Sequence, residues 1–134
     1  MSMIKKAVNT SQAPAVIGTY SQAIRTREMV FISGQIPVYP ETGQLLVGTF
    51  KQKVYQVFDN IKAICDASGG SLSDIVKLTV FITDFADFAV LNEVMADYFS
   101  EPYPARSTIA VAGLPRNVPI EIEAIMALHP HGAQ

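Results

Sequence analysis

The sequence predicts a single α+β domain: one β-sheet with two amphipathic helices packed on one of its faces. Two stretches carry apolar residues at helical spacing. Three others are short and dense in β-branched residues. Glycine and proline signals punctuate the chain between them. At 134 residues the chain has the length of one domain and can bury a core without disulfides or metal. The expected division is a domain over residues 1–128 and a C-terminal tail over 129–134.

Taken in order, residues 29–33 (MVFIS) read as a short strand running into Gly34. Residues 36–48 hold Pro37, Pro40 and the turn signal Glu41-Thr42-Gly43, and read as a loop. Val54, Val57, Phe58, Ile61, Ile64 and Cys65 then recur at three- and four-residue steps, which places them on one helical stripe. Gly69-Gly70 ends that helix. Residues 75–82 (IVKLTVFI) alternate as a strand: Val76, Leu78, Val80 and Ile82 are expected on one face, Ile75, Lys77, Thr79 and Phe81 on the other. Asp84 or Asp87 can cap a second helix whose stripe is Phe88, Leu91, Met95, Tyr98 and Phe99. Pro102 and Pro104 stop it. Strands over residues 106–112 and 119–128 follow, separated by the Gly113-Leu114-Pro115 turn.

With both helices on one side, the other side of the sheet is expected to carry Glu121, Glu123, Ile125 and Ala127 beside Ile75, Lys77, Thr79 and Phe81. It is too apolar for water and too polar for a dry core, so a subunit interface holding a wet pocket is expected. Composition agrees. Hydrophobic residues are 49% and charged residues 16%, against roughly a quarter charged in ordinary domains. A net charge of −2 with scattered lysines and arginines gives no basic footprint for nucleic acid. The apolar stretches are all too short to span a bilayer. One cysteine, Cys65, excludes an intrachain disulfide, and a reducing, cytoplasmic setting is expected.

Few residues could carry chemistry. Arg106 follows Pro104, which stiffens the strand entry, and its planar fork suits a carboxylate. The plain alternative is a structural ion pair, for which Glu121 is the natural mate. Glu121 and Glu123 share a strand face. A carboxylate near an apolar interface could hold a raised pKa and orient a water; alternatively both are solvated charges. Tyr20 could offer its hydroxyl to a ligand or be an ordinary tyrosine. Ser33-Gly34-Gln35 ends a strand where backbone could approach a ligand closely, or simply turns. Cys65, on the helical stripe, reads as a small buried hydrophobe. His129 and His131 fall in the tail with no third ligand beside them. The chain has no phosphate-binding glycine loop, no CxxC pair and no GxSxG elbow.

The segment PARSTIAVAGLPRNVPIEI (104–122) closely resembles the signature of the Rid family, the reactive intermediate deaminases. The resemblance continues through APAVIGTYSQAI (13–24), FISGQIPV with the following P and TG (31–43), FDNIKAI (58–64), DIVKLTVFITDFADFAVLN (74–92) and YPARS (103–107), and so covers nearly the whole chain in order. It implies a chorismate-mutase-like (YjgF-like) fold, a homotrimer and ligand sites between subunits. It further implies cofactor-free hydrolysis of 2-enamine and 2-imino acids, 2-aminoacrylate and 2-iminobutyrate, to 2-keto acids and ammonia. The substrates would come from pyridoxal-phosphate-dependent serine and threonine dehydratases. On this resemblance Arg106 binds the substrate carboxylate, Glu121 positions the attacking water and Tyr20 contributes its hydroxyl. Gly34, with Ser33, meets the substrate through the backbone; Phe88, from the neighbouring subunit, walls the pocket; Asn92 braces the adjacent helix. Thr108 stands where many relatives have cysteine. If that position acts through its backbone, threonine serves as well; if the thiol matters, rate or preference shifts. Two other functions stay open: a non-catalytic module that binds keto acids, and a ribonuclease or translation inhibitor, against which the acidic balance argues.

Overall fold

The computed structural model describes residues 4–129. Six strands and two helices alternate along it: β1 (Lys6–Val8), β2 (Ala23–Thr26), β3 (Met29–Gln35), α1 (Phe50–Ala67), β4 (Ile75–Ile82), α2 (Phe88–Tyr98), β5 (Ala105–Ala110) and β6 (Ile120–Ala127). The strands form one mixed sheet in the order β1-β2-β3-β6-β4-β5. Every neighbouring pair is antiparallel except β4 and β5, which run parallel and are joined through α2. This is the α+β arrangement the sequence predicts.

The helix α1 forms where the stripe says it should. All six stripe residues are fully buried. Thr49 caps it with a reciprocal Thr49–Gln52 capping box, which satisfies two orphan N–H groups. At the far end the chain leaves the helix through Gly69 at φ +94°, a conformation glycine adopts at little cost. The stripe packs with α2 onto one side of the sheet, against Val30, Ile32, Leu78, Val80, Ile82, Ile120, Ile122 and Met126. In α2 the buried residues are Leu91, Val94 and Met95, with Phe99 just beyond. Val94 joins the core although the expected stripe omits it, and Phe88 and Tyr98 are only partly buried. Asp84, not Asp87, supplies a side-chain cap, to a short 3-10 turn (Phe85–Asp87) that leads into α2.

Three further expectations are corrected. The alternation in β4 holds from Lys77 onward but fails at its start: Ile75 is buried and Val76 is exposed, because the pairing with β6 shifts between Ile75 and Lys77. The predicted strand over 29–33 extends to Gln35, and the one over 106–112 ends at Ala110. Strands β1 and β2 are additions, and the loop over 36–48 contains a bridge between Val38 and Leu45. Of the expected tail, His129 lies with Nε2 3.3 Å from Asp74 Oδ1; His131 falls outside the described residues.

The far side of the sheet has the mixed character foreseen. Glu121, Ile125 and Ala127 are partly exposed and Glu123 is open. Phe31, on an inner strand, and Ile109, on the edge strand β5, keep 45% and 43% of their surface in water, leaving apolar surface uncovered on this side.

Candidate functional site

Arg106 lies on the edge strand β5, opposite Leu78 of β4. Leu78 is fully buried beneath the helices, so the register turns Arg106 towards α2. There its Nη1 donates to Asn92 Oδ1 at 2.7 Å and to Met95 Sδ at 3.1 Å. The Phe88 ring lies 5.3 Å from the guanidinium carbon. Among the described residues no acid pairs with Arg106, so the structural ion pair with Glu121 is not formed. Partial burial lowers its pKa from the ordinary value, although an arginine stays charged. A guanidinium has five N–H donors. Nη1 spends both of its own on Asn92 and Met95, which leaves the Nε–Nη2 edge for a bidentate acceptor. A 420 Å³ hollow adjoins it, lined by Asn92, Met95, Ala96, Tyr103, Pro104 and Arg106 itself.

Glu121 occupies the other face. It is opposite Phe81 of β4, three residues beyond Leu78 and so on the open side of the sheet. Between the pairs Ile32–Ala124 and Gln35–Ile122, two residues of β3 oppose one of β6. This is a β-bulge, a device that re-aims groups beside functional sites. It turns Gly34 against Glu121: a Cβ added at Gly34 would lie 2.0 Å from Glu121 Oε2. Only glycine fits. Burial first, then the neighbouring Glu123, raises the pKa of Glu121 above the usual carboxylate range.

Ser33, the other bulge residue, is spent on structure. Its Oγ donates to the Ser21 carbonyl at 2.6 Å and its N–H to the Gln22 carbonyl at 3.0 Å. Gln22, absent from the sequence expectations, is buried and acts as a hub. Its side chain accepts from Thr10 N–H and donates to the carbonyls of Thr10, Ala13 and Pro14. It thereby anchors the arm that carries Tyr20, which is 53% exposed. Tyr20 and Gly34 both line a 540 Å³ cavity. No periodic pattern marks Gln22, and only the polar company of Ser21 and Ser33 hinted at it. Met95 was read as core alone, yet its sulfur also holds Arg106.

The predicted residues therefore fall into two groups. Arg106, Asn92 and Phe88 meet on the helix side of the edge strand; Tyr20, Ser33, Gly34 and Glu121 gather on the open side. Strands β6 and β5 are separated by β4, about 10 Å across. Arg106 and Glu121 are offset by three further residues along β4, about 10 Å more. One chain cannot bring both to one small ligand. Asn92, expected to brace a helix, instead holds the arginine itself. Thr108, two residues past Arg106 on the same face, has a buried Oγ1 with no hydrogen-bond partner.

The family model described as Endoribonuclease L-PSP matches residues 10–128. The chain belongs to the Rid family. Among related structures, RidA from an Antarctic Psychrobacter shares 53% identity with a TM-score of 0.89, covering 92% of this chain and 99% of that one. TdcF of Escherichia coli with bound serine shares 46% at a TM-score of 0.87, over 92% and 99%. A protein of Dermatophagoides farinae named 2-iminobutanoate/2-iminopropanoate deaminase is 43% identical, over 92% of this chain and 97% of its own length. Others of similar identity are named only as RutC family proteins. This Rid protein thus has the YjgF-like fold that its sequence resembles, a mixed six-stranded sheet with two helices.

Proposed function

We propose that this Rid protein is a homotrimeric hydrolase that converts small 2-imino and 2-enamine acids to 2-keto acids and ammonia. The single observation behind this reading is the state of Arg106: a guanidinium held by neutral groups, without an acidic mate among the described residues, presenting one free edge. Such an edge suits an oxyanion that can accept two parallel bonds, a ligand carboxylate among them. The mite relative named as a deaminase and the serine-bound TdcF structure favour the same ligand class.

In this reading the two groups of residues are halves of one site, and a neighbouring subunit supplies the second half. The open sheet face, with Phe31 and Ile109 half in water, is the surface that subunit contact would cover. Closed symmetry then makes three identical sites. Arg106 grips the carboxylate, with Phe88 against the guanidinium. The neighbour's Gly34, lacking a side chain, lets the imine carbon approach Glu121. Glu121 accepts a proton from a water as that water adds to the carbon. Both protons of that water end on the nitrogen, one returned by Glu121 and one from the new hydroxyl as the C=O forms, so the carbinolamine expels ammonia and the keto acid leaves. Tyr20 offers a hydroxyl hydrogen bond to the changing nitrogen or oxygen. Imines of this kind hydrolyse unaided, so the site needs only a few factors of ten, about 1.4 kcal/mol each. Fixing the carboxylate and aiming one water are enough for that.

The test couples the purified protein to a threonine dehydratase and follows 2-ketobutyrate release above the uncatalysed rate. Light scattering should give about three times 14.6 kDa. Arg106→Ala and Glu121→Gln should each be inactive alone and regain activity when unfolded together and refolded as mixed oligomers, since one intact site can then form between subunits. Failure of complementation, with mixed oligomers demonstrated, would remove the shared site. The family description as an endoribonuclease finds no counterpart in the charge: a net −2 with dispersed basic residues gives RNA no electrostatic track.

A further inference from the structure

We propose that Arg116 forms a distal anion subsite, so that this protein accepts 2-imino dicarboxylic acids as well as short monocarboxylic ones. The proposal deepens the deaminase reading above and rests on it.

The cavity beside Gly34 and Tyr20 measures 540 Å³, within the range that encloses drug-sized ligands. A three- or four-carbon imino acid would fill a small fraction of it. The same cavity is lined by the apolar Pro14, Val16, Ile36, Val38 and Pro40, by a few polar side chains, and by Arg116. A reacting head at Gly34, a run of methylenes and a second anionic group would each find matching surface within that one cavity.

Arg116 is held in place by its backbone. It adopts φ +56°, and Asn117 follows at φ +58°. Two successive non-glycine residues in the left-handed region are unusual, and such conformations persist only where surrounding structure imposes them. Pro115 and the bonds from Asn117 N–H to the Leu114 carbonyl and from Val118 N–H to the Pro115 carbonyl impose it here. The guanidinium reaches across to the Gly43 carbonyl at 3.2 Å. That uses one donor of five. Among the described residues no carboxylate pairs with it, although Glu41 shares the wall. The remaining donors are available to a ligand anion. The reaction is unchanged in its balance: the C=N bond takes up one water, and one keto dicarboxylic acid and one ammonia leave.

Flavin amino-acid oxidases acting on glutamate and on 2-aminobutyrate generate 2-iminoglutarate and 2-iminobutyrate in situ. The measured quantity is the ratio of kcat/KM for the first to that for the second. Arg116→Gln should lower this ratio about tenfold or more, the scale of one lost charge-assisted hydrogen bond. Arg116→Lys should keep part of it. A ratio that stays constant while both rates fall would make Arg116 a clamp on the Gly43 loop and overturn the proposal. Calorimetry with 2-oxoglutarate and 2-oxobutyrate separates the two readings. If no imine is turned over, yet 2-oxoglutarate binds more tightly and Arg116→Gln removes the difference, the deaminase reading fails and the subsite stands. Equal binding of both acids by the unaltered protein would sink the subsite whatever the turnover.

Discussion

Arg106→Lys isolates the feature on which the site depends. Lysine keeps the positive charge but has no fork, and its compact ammonium cannot hold Asn92 and a carboxylate edge together. Nη1 is committed to Asn92 and Met95, so on the proposed reading a ligand carboxylate would receive two parallel bonds from Nε and Nη2. The variant would retain one of the two at most. A hydrogen bond to a charged group is worth about 1.5–3 kcal/mol, so kcat/KM should fall roughly 10- to 150-fold. Arg106→Ala loses both bonds and the charge and should fall further, by at least about 100-fold. The assay is dehydratase-coupled keto-acid release, corrected for spontaneous hydrolysis, with the oligomer checked by light scattering. An intact oligomer whose lysine variant matches the native kcat/KM would refute the bidentate grip. An alanine variant with full activity would remove Arg106 from the site.

Four other substitutions probe the surroundings. Asn92→Asp installs the acidic mate that Arg106 lacks, 2.7 Å from Nη1 at the present oxygen position; KM should rise about tenfold or more with the fold intact, as initial-rate kinetics would show. Gly34→Ala forces Glu121 aside, because the new methyl would lie 2.0 Å from its oxygen. Since the displaced group is the end of a flexible side chain, thermal melting should show a folded protein while kcat/KM falls more than about tenfold. Glu121→Gln has opposite effects on rate and stability. The raised pKa of Glu121 means that its ionised form is penalised in the folded state, so the native rate enhancement should climb with pH through a pKa above the ordinary carboxylate value. The variant should show no such climb. Its melting temperature should exceed the native one at neutral pH, and the difference should vanish below about pH 4.3, where the unfolded carboxyl is protonated too. Thr108→Val removes a buried hydroxyl without a partner at nearly constant shape. Such an orphan costs about 1–3 kcal/mol, so calorimetric melting should rise by a few degrees.

The helices were legible because their stripes obey a 3.6-residue period over many turns, and the six residues expected inside α1 are all there. Strand existence was legible wherever β-branched residues cluster. The bulges were not. Alternation assigns faces only while pairing stays in register, and the shifts between Ile75 and Lys77 and between Ile32 and Gln35 break it. Strands β1 and β2 are three and four residues long and gain order by pairing, β2 along β3 and β1 along β2, which no local pattern announces. The residues of the site were named from the resemblance, whereas their division was hidden. Whether Arg106 and Glu121 share a face depends on how β5 and β6 each register against β4, a relation between distant segments. The expected ion pair failed for that reason. The hub at Gln22 escaped notice because it acts through neighbouring main chain, which leaves no mark in residue identity.

That hub has a consequence for how such a protein can diversify. Gln22 ties down residues 10–14 entirely through peptide N–H and carbonyl groups, which every residue except proline supplies in full. Within the span that follows, Gly18 is fixed by its φ of +133°, but Ala15, Val16 and Ile17 can be rewritten without disturbing the anchors. All three line the cavity beside Gly34 and Tyr20, so mutations there would retune what fits inside while the scaffold beneath stays as it is. Selection for a new metabolite would have a natural point of entry in those three positions.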